Sequence, residues 1–173
     1  MVGARRLVRQ DGGVGGHPRR AQPPQIAHGY ASTGECLQIL VAIDGSPASE
    51  KALTVAVDLA VHYKADLTAI GVAEVPEIVG TMDEVDELRE SAEGHFRQIG
   101  EAALEFARSR GAALRSVVVR GHAADAIVGY AESEQMSLVV LGHYGHSRIT
   151  RFFLGSTTDR VSEHCPCSVV IVK

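Results

Sequence analysis

Short continuous apolar runs alternate along the chain with longer segments whose apolar residues recur every three or four positions. "LQILVAID" (37–44) is too short for a helix and rich in aliphatic residues, as expected of a strand buried on both faces. "GSPASE" follows, with Ser46 placed to cap a helix and Pro47 at its first position. That helix is expected to run to about Lys64, with Ala52, Leu53, Ala56, Ala60 and Tyr63 as its inward stripe. "ADLTAIGVAEV" (65–75) predicts a second strand, and a loop continues through Gly80. A long helix is predicted from about Asp83 to Arg110, with Val85, Leu88, Ala92, Phe96, Ile99, Ala103 and Phe106 inward and Gly111 ending it.

"ALRSVVVRG" (113–121) predicts a third strand, followed by a helix from about Ala123 to Glu134 with Ile127, Val128 and Ala131 inward. "SLVVLG" (137–142) is a fourth strand. A glycine-containing segment and a short helix from Ser156 lead to a fifth strand, "SVVIVK" (168–173). Strands that are apolar on both faces and alternate with helices predict an α/β fold: one open five-stranded parallel sheet, Rossmann-like, with helices on both faces.

Residues 1–34 break this rhythm. They are rich in Gly, Arg, Pro and Gln, and we expect a disordered basic arm ahead of a single domain over 35–173. Of 17 basic and 21 acidic residues, five arginines and only Asp11 fall in that arm, so the remainder carries a net charge of −8. A body this acidic is a poor general ligand for nucleic acid. No apolar run is long enough to span a membrane. The early arginines precede no apolar stretch, so no signal peptide is expected. Cys36, Cys165 and Cys167 form no disulfide framework and no zinc spacing, which points to a reducing, cytoplasmic setting.

Two predicted strands end in unusual chemistry. The first ends in Asp44-Gly45-Ser46 and the fourth in Gly142-His143-Tyr144-Gly145. Ligands of open parallel sheets sit at the carboxyl ends of strands where the order reverses. Glycines there expose backbone N–H groups. Gly155-Ser156-Thr157 opens a helix whose free N–H groups and dipole favour a phosphate. The Walker A lysine is missing from the segment, which leaves a divalent cation, Mg²⁺ or Mn²⁺ held mainly by the phosphates, to offset triphosphate charge. No spacing supports a metal cluster of His122, His143, His146 and His164.

From Leu37 to Lys173 the chain resembles the universal stress proteins. The resemblance rests on Gly-x2-Gly-x9-Gly-Ser at Gly142, Gly145, Gly155 and Ser156, on "ILVAIDGSPASEKAL" (39–53) and on "HCPCSVVIVK" (164–173). The glycine motif resembles that of the family's ATP-binding branch. The resemblance implies strand order 3-2-1-4-5, which sets the first and fourth strands side by side, and a homodimer through the last strand. It implies that Ala42 and Val72 line the adenine site, the backbone of Val72 reading the base. Asp44 would face the ribose or a phosphate-bound metal, and Gly142 would lie near the ribose. Gly145, His146 and Ser147 would follow the phosphates, with Ser156 and Thr157 closing on the last one. His143 and Arg148 are further candidate phosphate contacts. Members often carry Arg in place of His146 and Val in place of Thr157.

Three readings of function follow: an ATP- or AMP-binding regulatory module of the stress response, a slow ATPase or phosphoryl-transfer enzyme, and a dimeric scaffold needing no nucleotide. After the first strand the chain reads Asp44-Gly45-Ser46-Pro47 in place of the His-x-Gly-His signature of adenylyl-transferring relatives, and apart from Asp44 and the histidines the phosphate end offers no dedicated general base. Binding is therefore favoured over catalysis.

Overall fold

The computed structural model describes residues 36–74, 82–144 and 155–173. The predicted arm at 1–34, the loop through Gly80 and residues 145–154 lie outside the described residues. The elements run β1 (Gln38–Ala42), α1 (Pro47–Tyr63), β2 (Asp66–Ala73), α2 (Met82–Ser109), β3 (Leu114–Arg120), α3 (Ala123–Ser133), β4 (Leu138–Gly142), α4 (Ser156–His164) and β5 (Ser168–Val172).

The strands form one sheet in the order β3-β2-β1-β4-β5, and every pairing is parallel. In a strand, successive side chains point to opposite faces, so a strand buried on both sides needs a partner layer for each. Ile39 and Val41 of β1, and Ile43 just beyond it, pack with α1 and α2, together with Val140 of β4. Leu40 and the flanking Val139 and Leu141 pack with α3 and α4 on the other face. Ile39, Leu40 and Val41 are wholly buried, each contributing about 1.5–3 kcal/mol of hydrophobic stabilisation.

Local chemistry sets the helix ends. Ser46 caps α1 by accepting a hydrogen bond from the Ser49 N–H, and Pro47 occupies the first turn, as the sequence predicts. Gly45, before the cap, has φ +77°. A side chain there would be strained, and its Cβ would lie 3.1 Å from Ile99 Cδ1.

Two stripe residues differ from expectation. Tyr63 and Leu88 are exposed. Tyr63 is the last residue of α1, where the chain turns away through Lys64 in the left-handed region. Leu88 lies in the early turns of α2. Its 28 residues span roughly 42 Å, whereas the 7-residue β3 beside it spans roughly 23 Å. The beginning of α2 therefore extends past the sheet, and among the described residues Leu88 has no layer to cover.

Candidate functional site

β1 ends before its neighbour β2. Their register stops at Ala42 opposite Ile70, with one further bond from the Ile43 N–H to the Ile70 carbonyl. β2 continues through Gly71 and Val72 to Ala73. In a parallel pair, backbone groups facing one neighbour alternate along the strand. Ile70 faces β1 and Ala73 faces β3, where its carbonyl accepts from the Gly121 N–H. Val72 thus turns its backbone toward the place β1 has just left, and that place belongs to Asp44. β4 borders the same gap from the opposite side, pairing with β1 from Ile39 to Val41.

A cavity of about 350 Å³ opens above these strand ends, within the size range of small-molecule sites. Ala42, Asp44 and Val72 line one side; Gly142, Gly155, Ser156 and Thr157 line the other. The fold thus brings together seven of the residues singled out from sequence. His143 is not among the lining residues; its N–H donates to the Val172 carbonyl and its ring packs edge-on to Tyr144. Gly145, His146, Ser147 and Arg148 lie outside the described residues.

Three helices start at this cavity, and their termini differ. At α1 the donors are used internally. The Ser46 N–H donates to Asp44 Oδ1 at 2.9 Å, the Ser49 N–H to Ser46 Oγ at 3.2 Å, and the Ser49 hydroxyl to the Ser46 carbonyl at 3.0 Å. At α3, His122 provides no side-chain cap, but the Ala123 N–H donates to Glu74 Oε1 at 2.7 Å. At α4 the N-cap is Gly155, which has no side chain to cap the helix, and no side-chain cap is seen among the described residues. The first-turn N–H groups, uncapped among the described residues, and the positive end of the helix dipole therefore meet the cavity at α4.

α4 is fixed there by two bonds to the end of β4. The Gly155 N–H donates to the His143 carbonyl at 3.1 Å, and the Thr158 hydroxyl donates to the Gly142 carbonyl at 2.9 Å. Gly142 itself is a close-approach glycine. A Cβ at this position would stand 2.7 Å from the Ala48 carbonyl carbon.

Sequence reasoning overlooked several lining residues. Glu74 follows Val72 by two positions, so strand alternation already puts both on one face. Phe96 presses against Gly71, where a Cβ would come within 2.7 Å of its ring; an isolated glycine inside a strand is a signal of such an approach. Ser49 and Thr158 are buried hydroxyls at the base of the site, and helical phase separates Thr158 from the exposed Ser156. The arrangement offers an apolar end, a carboxylate beside the ends of β1 and β2, and an anion-favouring end at α4.

The sequence profile of the universal stress protein family matches residues 37–173. The chain is 33% identical over 150 residues to universal stress protein YxiE of Bacillus subtilis, covering 79% of this chain and 98% of that protein. The solved structure of universal stress protein UspA from Lactobacillus plantarum matches with a TM-score of 0.74 at 28% identity, covering 79% of this chain and 97% of the other. A universal stress protein solved in complex with cAMP matches with a TM-score of 0.63 at 26% identity, covering the same shares. With its sheet order, its glycine-bordered cavity and a match across the whole segment from Leu37 onward, the chain belongs to the universal stress protein family.

Proposed function

We propose that this protein binds an adenine nucleotide, ATP or AMP, in the cavity above β1, β2 and β4, and that occupancy switches its conformation or its choice of partner in the stress response. The observation that carries the reading is the polarity of the cavity. Its apolar end, formed by Val72, Phe96 and Ile127, suits a purine, and its α4 end suits a phosphate. The Val72 backbone faces the gap left by β1 and can serve the base edge with one donor and one acceptor. A family member of 26% identity was solved with cAMP, which supports an adenine nucleotide as the ligand class. A divalent cation, Mg²⁺ or Mn²⁺, would sit mainly on the phosphates, with Asp44 as a cavity-lining carboxylate that could face it. Its chemistry would be charge neutralisation.

The test begins with freshly purified protein that is denatured and searched for released nucleotide by mass spectrometry, followed by titration with ATP and Mg²⁺. Ser156→Pro is the informative variant. Proline is accepted at the first position of a helix but removes its N–H, and this substitution also removes the hydroxyl. Loss of one charge-assisted hydrogen bond should weaken binding by about tenfold or more, with thermal stability unchanged. Wild type that neither releases nor binds nucleotide would overturn the proposal. The switch is read separately, by hydrogen exchange with ATP, with AMP and without ligand; identical protection in all three would remove it.

A further inference from the structure

The nucleotide site leaves the two cysteines after α4 without a role. Cys165 and Cys167 flank Pro166 in the short link between α4 and β5, and their sulfurs stand 3.5 Å apart. We propose that Cys165 and Cys167 form a thiol-exchange site that takes up small disulfides of the glutathione class and closes to a reversible intramolecular disulfide.

Three features of the link carry this. First, the sulfurs already face each other, and a disulfide of about 2.05 Å needs them to approach by only about 1.5 Å. Second, the link is free of ladder bonds. Cys165 has left the helix with extended geometry (φ −66°, ψ 133°), and β5 begins only at Ser168. Small side-chain rotations can close the gap without dismantling an element. Pro166 limits how far the two residues can drift apart. Third, both cysteines are half-buried against the α3 and α4 core layer. One wall holds the sulfurs while solvent reaches the other. Among the described residues no group of three potential ligands surrounds them, so a metal centre has no support there.

The chemistry assigns an order. Burial pushes the Cys167 thiol up to about 12, and the hydrogen bond and charge of Cys165 push in the same direction. The proton stays on Cys167, so the first attack is assigned to Cys165, its partner 3.5 Å away. Cys165 Sγ bonds to one sulfur of oxidised glutathione, the S–S bond breaks, and one glutathione leaves as a thiolate that takes up a proton. The mixed disulfide carries no charge on Cys165, so part of what held the Cys167 proton is gone. Cys167 loses that proton, attacks Cys165 Sγ and expels the second glutathione. The pair gives up two electrons, and one disulfide becomes two thiols.

The experiment uses the full chain treated with oxidised glutathione, trapped by alkylation and digested with trypsin. Cleavage after Arg160 places both cysteines in the peptide 161–173, while exposed Cys36 reports on simple exchange elsewhere. The expected product is a 161–173 peptide two hydrogens lighter, without alkyl groups or glutathione, restored by a dithiol reductant. In C167S the mixed disulfide should persist on Cys165. In C165S, Cys167 should react about tenfold more slowly than Cys165 does in C167S, because burial still disfavours its thiolate. The proposal is overturned if 161–173 stays fully alkylatable under conditions that modify Cys36. Two retained glutathiones in wild type, or disulfide-linked pairs of chains through these cysteines, would overturn it as well. Equal rates in the two single variants would overturn the assigned order.

Discussion

Gly142→Ala adds one methyl group at the end of β4. The new Cβ would stand 2.7 Å from the carbonyl carbon of Ala48, 2.8 Å from its oxygen and 3.0 Å from its Cβ. Two of these three atoms are backbone, so no side-chain rotation relieves the contact, and the first turn of α1 must move. Overpacking of this kind costs about 1–3 kcal/mol, or roughly 3–10 °C in Tm for a domain of this size. Displacing Ala48 also moves Ser49, whose hydroxyl meets both the Asp44 N–H and the Ser46 carbonyl. The disturbance thus reaches the Asp44 side of the cavity, and nucleotide affinity should fall along with stability.

Gly129→Ala is the matched control. Gly129 lies inside α3, is exposed, and has nothing within 4 Å of its would-be Cβ. The same added methyl group should stabilise there by about 0.5–1 kcal/mol, because alanine loses less conformational freedom than glycine on entering a helix. Urea denaturation and nucleotide titration of both variants give the answer. Opposite signs of the stability change, with affinity lowered only in Gly142→Ala, are expected. Two variants that shift alike would refute the close approach of β4 and α1 as the reason for glycine at 142. Adding Ala48→Gly to Gly142→Ala should restore only part of the loss, since the backbone contacts remain.

Thr158→Val removes the hydroxyl that holds α4 to the Gly142 carbonyl and should lower stability by about 1 kcal/mol; an unchanged urea midpoint would contradict this role. Glu93 accepts bonds from Arg97 and Arg120, and the Arg120 hydrogen bond leads in holding its carboxyl below the ordinary 4.5. Its contribution is complete above that value and is lost as pH falls through the lowered one. Wild type should therefore exceed Glu93→Gln in stability near neutrality and converge with it in acid; a gap that is constant with pH would count against the ion pair. β5 is an edge strand with apolar residues, and an uncovered edge invites a second copy. Ile171→Asp should convert a homodimer to a monomer in light scattering, and a monomeric wild type at micromolar concentration would refute that expectation.

The sheet was legible in the chain because its strands are buried on both faces. An uninterrupted run such as "ILVAI" (39–43) has no other stable home in a chain whose remaining periodicity is helical. Strand order was a different matter. Periodicity says which residues are inward but not which strand lies beside which, and the order came only with the family resemblance. The site divides in the same way. Asp44, Gly142 and Gly155 announce themselves by residue type at element ends. Glu74 and Phe96 do not, because each reads as an ordinary surface acid or core aromatic until β2 is seen to outrun β1 and α2 is laid across Gly71. Leu88 failed for the converse reason. Its spacing is right, but helix length against sheet length decides whether an inward position has anything to meet.

That difference in strand length also gives the cavity its direction. Had β1 matched β2, its backbone would pair with Val72 and close the gap. Because it stops early, three helix starts converge on the space, and two of them are already answered from within: α1 by Ser46 and Asp44, α3 by Glu74. An anion entering the cavity meets a carboxylate at the α3 end and, at the α4 end, first-turn N–H groups that no side chain among the described residues caps. A phosphate is therefore repelled from one end and drawn to the other, while a purine finds Val72, Phe96 and Ile127 at the end the phosphate avoids. Neutralising Glu74 should weaken this preference without removing any contact at α4. Glu74→Gln, which keeps an oxygen for the Ala123 N–H, should bind inorganic phosphate less selectively at α4 while leaving the fold intact.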